Sequence, residues 1–220
     1  MTTVLPSPRT AAAPRAHVAH PHVATAPAPN SFRAGRPVIL ADDVWGSGCD
    51  LIAPAAAIDT RTVAEMVRRG AGFLCVTIDF ATAQRLELPP MVWQQSIDEV
   101  GERMCVAVDA VDATTTGISA HDRGVTLRAL ADPRSRAASF TRPGHVMPVV
   151  VPDDAPYIDR AGLIAKAGRY LAGNHGSLGH SVAYTALVSN RDETQIASPD
   201  EADDFGLPVL TYSALIALTS

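Results

Sequence analysis

Apolar residues follow two spacings along this chain, and together these spacings predict strands that alternate with helices. Runs of consecutive apolar residues predict strands at residues 37–40, 73–78, 104–110, 146–151 and 182–189. Apolar residues three or four positions apart predict helices at residues 60–69, 81–86, 120–131, 160–171 and 212–218. No internal repeat or second domain is visible in the sequence. The pattern therefore favours a single α/β or α+β domain.

Residues that begin and end helices support two of these predictions. Thr60 is expected to cap the first helix at its beginning, and Gly70 is expected to end that helix. Ser119 and Asp122 have the spacing of a capping box ahead of the helix at 120–131, which Asp132 and the following proline end.

Residues 1–35 differ from the rest of the chain in composition. They are rich in Ala and Pro, and the prolines interrupt any regular element, so the segment is predicted to be a flexible arm preceding a domain at 36–220. His17, His20 and His22 lie in this arm without cysteine or acidic partners, which makes them a weak set of metal ligands.

Composition excludes several classes of function. The 220 residues carry a net charge of -5 and 47% hydrophobic residues, with no basic stripe and no apolar run long enough to span a membrane. We expect neither a nucleic-acid nor a membrane partner. Cys49, Cys75 and Cys105 form no CxxC pair, and no secretory leader is recognisable, so a reduced, cytoplasmic setting is expected.

Polar and glycine residues concentrate between Thr114 and His145. This stretch supplies hydroxyl groups, accessible backbone N–H groups, a fixed positive charge and a titratable base, which together suit anion binding and proton transfer. The candidate substrate-binding residues here are Thr115, Thr116, Ser119 and Arg142, and the candidate base is His145. Cys75 is the one cysteine retained as a candidate, because it is predicted to lie where a strand ends at the site.

Several motifs together resemble the 3,4-dihydroxy-2-butanone 4-phosphate synthase family. The two most specific are Thr-Thr-Gly-Ile-Ser-Ala at 115–120 followed by Asp-Arg, and Phe-Thr-Arg-Pro-Gly-His-Val at 140–146. Shorter matches lie in the same order at 36–40, 50–52, 88–91 and 108–110, and the resemblance extends over residues 36–218. It implies an α+β fold with a mixed sheet flanked by helices. It also implies a homodimer with sites at the subunit interface.

The resemblance further implies a reaction and a metal. Members convert ribulose 5-phosphate to formate and a four-carbon phosphate for riboflavin synthesis, with Mg²⁺ held by a glutamate in an Arg-Glu-Asn-Glu-Gly-Asp loop and a histidine in an Arg-x-Gly-His-Thr-Glu segment. In this chain Gly46 stands at the glutamate and Leu163 at the histidine. The family's catalytic glutamate falls on Ala186 or Leu187. No metal and no other cofactor is therefore expected.

Other positions of the family's site are retained. His145 matches a catalytic residue and Asp50 a substrate-contacting acid, while Thr116, Arg142 and Arg160 match substrate-binding positions. The residues also have purely structural explanations: Ser119 as a helix cap, Arg142 as the partner of Asp122, and His145 as a buried hydrogen-bonded histidine.

Two loops change the chemistry that the resemblance implies. Trp45, in a glycine-rich loop, either stacks on a substrate or fills the space of the missing metal. His175 and His180 lie in another glycine-rich loop, where they form either a replacement metal site or an ordinary surface turn.

Three functions follow from these observations. The first is a repurposed, metal-independent enzyme that isomerises, eliminates or cyclises a small oxygenated substrate in specialised metabolism, with His145, Asp50 and Cys75 as candidate catalytic residues. The second is the riboflavin-pathway lyase itself. The third is a catalytically silent homologue that acts as a binding partner. Retention of the polar residues favours the first.

Overall fold

A mixed β-sheet forms the centre of the computed structural model, which describes residues 27–91, 103–152 and 160–219. The strands are β1 (Val38–Asp42), β2 (Gly48–Pro54), β3 (Cys75–Ile78), β4 (Arg103–Met104), β5 (Val108–Ala110), β6 (Phe140–Val150), β7 (Val182–Ala186) and β8 (Val209–Thr211). The helices are α1 (Pro27–Arg33), α2 (Thr60–Arg69), α3 (Phe80–Arg85), α4 (Ala120–Ala131), α5 (Arg160–Ala172) and α6 (Tyr212–Thr219). This confirms the predicted α+β class.

The strands lie in the order β4-β6-β3-β7-β2-β1-β8, and β5 pairs with the first part of β6. The pairs β1–β8 and β3–β6 are parallel, and the other pairs are antiparallel. Alternate residues of each strand face opposite sides of the sheet, as Leu51 and Ile52 of β2 do. One side packs on α2 and α4, and the other on α1, α5 and α6.

The helix predictions are confirmed with one correction at a cap. Asp59, not Thr60, caps α2, because its carboxylate accepts a hydrogen bond from the Thr62 N–H at 2.7 Å. Gly70 ends that helix as predicted. Ser119 caps α4 through the Asp122 N–H at 3.0 Å, which confirms its structural role.

Two strand predictions are wrong in extent. The strand predicted at 104–110 is divided into β4 and β5, because the backbone of Cys105 and Val106 bonds instead to Pro148 and Pro89. The strand predicted at 146–151 begins earlier, at Phe140, and the stretch from Arg142 to His145 bulges out of β6 opposite the step from Val108 to Asp109.

Helix α1 lies inside the segment whose proline content predicts a flexible arm. Ala28 and Phe32 are fully buried against the α5 side of the sheet, and the Arg33 guanidinium donates to the Leu171 carbonyl at 3.1 Å. Residues 27–35 are therefore part of the folded domain, since burial of an aromatic side chain outweighs the local cost of the prolines. The histidines at positions 17, 20 and 22 lie outside the described residues. No helix in the described part of the chain is long and apolar enough to cross a membrane.

Glu201 provides a pH-dependent contribution to stability. Its carboxylate accepts hydrogen bonds from the Ser189 hydroxyl at 2.7 Å and the Ser198 N–H at 2.9 Å, and these bonds lower the pKa of Glu201. A lowered carboxyl pKa stabilises the fold above the ordinary value of about 4.3 and loses that effect as pH falls through the lower folded value. We expect the urea midpoint of Glu201→Gln to fall less steeply than that of the native chain between pH 5 and pH 3. Equal slopes would contradict this assignment.

Candidate active site

Several candidate residues lie along one edge of the sheet, formed by the ends of its strands, where β2 and β3 begin and β1 and β7 end. Met147, Cys75, Tyr184 and Ile52 form one row across four neighbouring strands. Two residues nearer the edge, Asp50 of β2 pairs with Ala186 of β7. His145 lies likewise two residues before Met147 in β6. Strands are about 4.8 Å apart, so β6 and β2 place His145 and Asp50 roughly 14 Å from each other along this edge.

His145 is held by an acidic residue that the sequence does not single out. The Asp109 carboxylate accepts the His145 backbone N–H at 2.9 Å, and its second oxygen lies 2.7 Å from Nδ1 of the imidazole. The His145 side chain is 38% exposed, whereas that of Asp109 is 11% exposed. The pairing therefore uses Nδ1 and directs Nε2 away from Asp109, as in a base oriented by a carboxylate. The available signal was an acid within the apolar strand β5.

The threonine-rich turn before α4 is organised by Asp122. This buried carboxylate accepts hydrogen bonds from the Thr115 hydroxyl at 2.9 Å and from the Gly117 N–H at 3.0 Å. These bonds contribute to the lowered pKa of Asp122, against the opposing effect of desolvation. Thr115 and Ser119 thus use their hydroxyls within the protein, while Thr116 is exposed at the tip of the turn.

Arg142 contacts backbone carbonyls and not Asp122. Its Nη2 donates to the Leu86 carbonyl at 2.6 Å and reaches the Glu87 carbonyl at 3.4 Å, so the suggested ion pair with Asp122 is wrong. The side chain joins the bulge of β6 to the segment that follows α3. Arg142 is exposed, and its remaining N–H groups make it an anion-binding candidate beside His145.

Asp50 and Arg160 form a two-point ion pair. Nε and Nη2 of Arg160 lie 3.0 Å and 2.5 Å from the two carboxylate oxygens of Asp50, and the guanidinium carbon lies 5.4 Å from the centre of the Tyr184 ring. Burial raises the pKa of Asp50, while the bond from Arg160 lowers it. The pair brings together two predicted site residues, but Arg160 reaches Asp50 from the first turn of α5, so neither contacts His145 directly. Tyr184 was not predicted.

Cys75 is expected at the end of a strand, but the structure places it at the beginning of β3. It is 3% exposed and packs with the apolar residues on the α5 side of the sheet. All three cysteines are buried, and no disulfide joins them. Cys75 thus lies below the edge that carries His145 and Asp50.

The loop between β1 and β2 is built around Asp42. Its carboxylate accepts the backbone N–H of Trp45 at 2.8 Å and that of Ser47 at 2.9 Å. Trp45 is 46% exposed and contacts the edge of Tyr212, with 6.1 Å between the ring centres. The indole therefore lies at the surface beside α6, where it has a face available for a ligand.

Residues 27–218 match the family model described as 3,4-dihydroxy-2-butanone 4-phosphate synthase. The chain belongs to this family.

Relatives and solved structures agree with the assignment. The riboflavin biosynthesis protein RibBA of Rhodococcus jostii is 38% identical over 84% of this chain, and that of Mycobacterium tuberculosis (strain H37Ra) is 39% identical over 83%. The chain spans less than half the length of these curated relatives, 44% and 43% respectively. The crystal structure of the Candida albicans synthase has a TM-score of 0.74 and 29% identity, covering 88% of this chain and 96% of its own. A synthase structure with two magnesium ions has a TM-score of 0.73, 30% identity and coverage of 88% and 94%.

The positions of the family's metal ligands do not fit a magnesium ion in this synthase-family chain. Gly46 is exposed, and a Cβ added there would meet nothing within 4 Å. Leu163 is 1% exposed within the apolar cluster that α5 forms on the sheet, and Leu187 is fully buried on the opposite face. Because Mg²⁺ requires oxygen ligands, these side chains offer it none.

No replacement metal site is found in the described ranges. His175 and His180 flank the 3-10 helix at Gly176–Gly179, and both are exposed. Within residues 27–91, 103–152 and 160–219, no group of three or more His, Cys, Asp or Glu side chains is placed to hold a metal ion.

Gly117 is expected to be required for the placement of Asp109. Its φ is +82°, and an added Cβ would lie closer than 3.0 Å to all three carboxyl atoms of Asp109. Gly72 is a matched control, because its φ is +78° and a Cβ there meets nothing within 4 Å. We expect Gly117→Ala to lower the free energy of unfolding by about 1–3 kcal/mol more than Gly72→Ala. Equal losses in urea titrations would show that Asp109 moves without cost.

Proposed function

We propose that this protein is a metal-independent acid–base enzyme of the 3,4-dihydroxy-2-butanone 4-phosphate synthase family, acting on a small oxygenated substrate. The observation that carries the proposal is the His145–Asp109 pair, with 2.7 Å between Nδ1 and the carboxylate. An oriented imidazole is the residue best suited to move a proton near neutral pH. A place in specialised biosynthesis is part of the same proposal.

The chemistry assigns the proton to one nitrogen. With Nδ1 engaged by Asp109, Nε2 of His145 takes a proton from a carbon next to a carbonyl group and delivers it to another carbon of the substrate, or to a hydroxyl group that leaves as water. This step supports isomerisation, elimination or cyclisation of the substrate. Asp109 orients the ring and balances the positive charge that the imidazole gains.

Cationic and hydrogen-bonding side chains suit an anionic or oxygen-rich substrate. Thr116 lies on the turn before α4, Arg142 lies on the bulge of β6 that also carries His145, and Arg160 is bound to Asp50 further along the same edge. Donors of this kind stabilise the oxyanion that forms when a proton leaves carbon, and in this proposal they take the part that a divalent ion plays elsewhere. Trp45 adds an apolar face for the substrate.

Asp50 and Cys75, which the sequence offers as catalytic candidates, are assigned no proton transfer in the proposal. Asp50 is assigned to substrate contact through Arg160, since its carboxylate is only 7% exposed. Cys75, buried behind it, is assigned no step. We also propose a homodimer, on the family resemblance alone, which sedimentation velocity tests.

The family reaction provides the decisive assay. We expect the purified protein to release no formate from ribulose 5-phosphate in the presence of Mg²⁺, because the positions of both metal ligands and of the catalytic glutamate lack carboxylate and imidazole groups. Sustained formate release that His145→Gln abolishes would instead establish the riboflavin-pathway lyase.

Once a substrate is found, His145→Gln is expected to lower kcat by about 10²–10⁴-fold, as removal of a general base does. An unchanged kcat would show that His145 is not the general base.

A further inference from the structure

A buried arginine lies close to the His145–Asp109 pair. Arg123 is 8% exposed, and its Nε has no hydrogen-bond partner among the residues that the structure describes. Removing a charged group from water is unfavourable unless another charge or a hydrogen bond compensates. Such a group inside a domain therefore indicates a specific role or a nearby opposite charge.

Helix α4, which carries this arginine, packs against the strand that carries Asp109. Thr126 lies three residues after Arg123 on the same face of the helix, and its hydroxyl accepts the Ala110 N–H at 3.0 Å. Ala110 follows Asp109 in β5. The contact thus places the Arg123 face of α4 beside Asp109, and the negative charge of Asp109 acts on the guanidinium. Burial lowers the pKa of Arg123, and the Asp109 carboxylate opposes that change.

Asp109 is itself enclosed. Its side chain is 11% exposed, it accepts the backbone N–H of His145, its second oxygen lies 2.7 Å from Nδ1, and Gly117 approaches its carboxyl group from the turn before α4. A carboxylate in this position is stabilised by positive charge, which the neutral imidazole does not carry. Arg123 brings that charge from the side of α4.

We propose that Arg123 is a positioning residue for His145: its buried charge stabilises the Asp109 carboxylate, which then holds the imidazole with the proton on Nδ1 and leaves Nε2 unprotonated. Arg123 acts through Asp109 and does not touch the substrate. The use of Nε2 as a base rests on the proposed function, whereas the position of the proton on His145 does not depend on any substrate.

The test observes the imidazole directly. Protein labelled with ¹⁵N-histidine is studied by NMR at pH 8.5, about two units above the ordinary pKa of histidine, and His145 is assigned by its loss in His145→Gln. Nitrogen shifts distinguish the Nδ1–H from the Nε2–H tautomer. We expect the Nδ1–H form in the native chain and in Arg123→Lys, which keeps the charge. We expect Arg123→Met to lose at least half of the Nδ1–H population, because the enclosed carboxylate without its counter-charge turns away from the imidazole towards water.

Arg128→Met is the matched control on the same helix. Its guanidinium donates to the Ile58 carbonyl at 2.7 Å, away from β5, so this variant is expected to retain the native tautomer. Retention of the native tautomer in folded Arg123→Met overturns the proposal, because Arg123 would then only fill space. If Arg123→Met does not fold, the Nε2–H form in the native chain or in folded Arg123→Lys overturns it equally. None of these outcomes depends on turnover, so the proposal can fail while the proposed function stands.

Discussion

Alanine at position 144 is expected to disrupt the bulge that presents His145. A Cβ on Gly144 would lie closer than 3.0 Å to the carbonyl group of Val108 and to the backbone nitrogen of Asp109. These are backbone atoms of β5, which cannot rotate away as a side chain can. We expect Gly144→Ala to lower the free energy of unfolding by at least about 3 kcal/mol and the melting temperature by roughly 6–12 °C.

The chain offers a matched control for this substitution. Gly176 also lacks a positive φ, and a Cβ there meets nothing within 4 Å. Gly176→Ala is therefore expected to leave the melting temperature nearly unchanged. A Gly144→Ala variant as stable as this control would show that β5 and β6 separate easily, and the fixed geometry of His145 and Asp109 would lose its basis.

Removal of Arg160 is expected to produce a second large effect, which depends on pH. Arg160→Met leaves the Asp50 carboxylate, which is 7% exposed, without its two-point partner. Loss of one member of a buried pair costs about 3–5 kcal/mol, and the 40% exposure of Arg160 reduces that to about 2–4 kcal/mol at pH 8. Urea titration measures this difference.

The sign of the pH dependence follows from Asp50. Burial raises its pKa, and Arg160 is the group that opposes the rise. Without Arg160, the carboxyl group is protonated over a wider pH range in the folded state, so the destabilisation is absent below the unfolded value of about 3.9 and grows as pH rises through the folded pKa. The double variant Asp50→Asn with Arg160→Met is expected to lose this pH dependence. A loss of stability independent of pH in the single variant would mean that Arg160 contributes by packing on Tyr184.

Periodicity predicted the elements whose burial follows a simple pattern. Helices α4 and α5 lie where apolar spacing and the Ser119 cap place them, because one face of each packs on the sheet. Strand β2 was missed because Asp50 interrupts its apolar run. The buried carboxylate of Asp50 is compensated by its ion pair with Arg160, which the sequence does not reveal. Helix α1 was missed because proline content conceals the burial of Phe32.

The candidate site was predicted only in part, for a different reason. His145 and Thr116 belong to long motifs, so the sequence alone identified them. Asp109 lies 36 residues from His145 and meets it only through the irregular pairing of β5 with β6. Local sequence carries no record of that register, and the part played by Arg123 depends on the same contact.

Titration with Mn²⁺, followed by the electron paramagnetic resonance of the free ion, tests the central claim most directly. Mn²⁺ accepts the same oxygen ligands as Mg²⁺ and is observed without any substrate. With Gly46 and Leu163 at the positions of the family's metal ligands, the free-ion signal is expected to rise as it does in buffer, with no bound equivalent at micromolar concentrations. One tightly bound Mn²⁺ per chain would contradict the account, because the site would then hold the metal that we propose it works without.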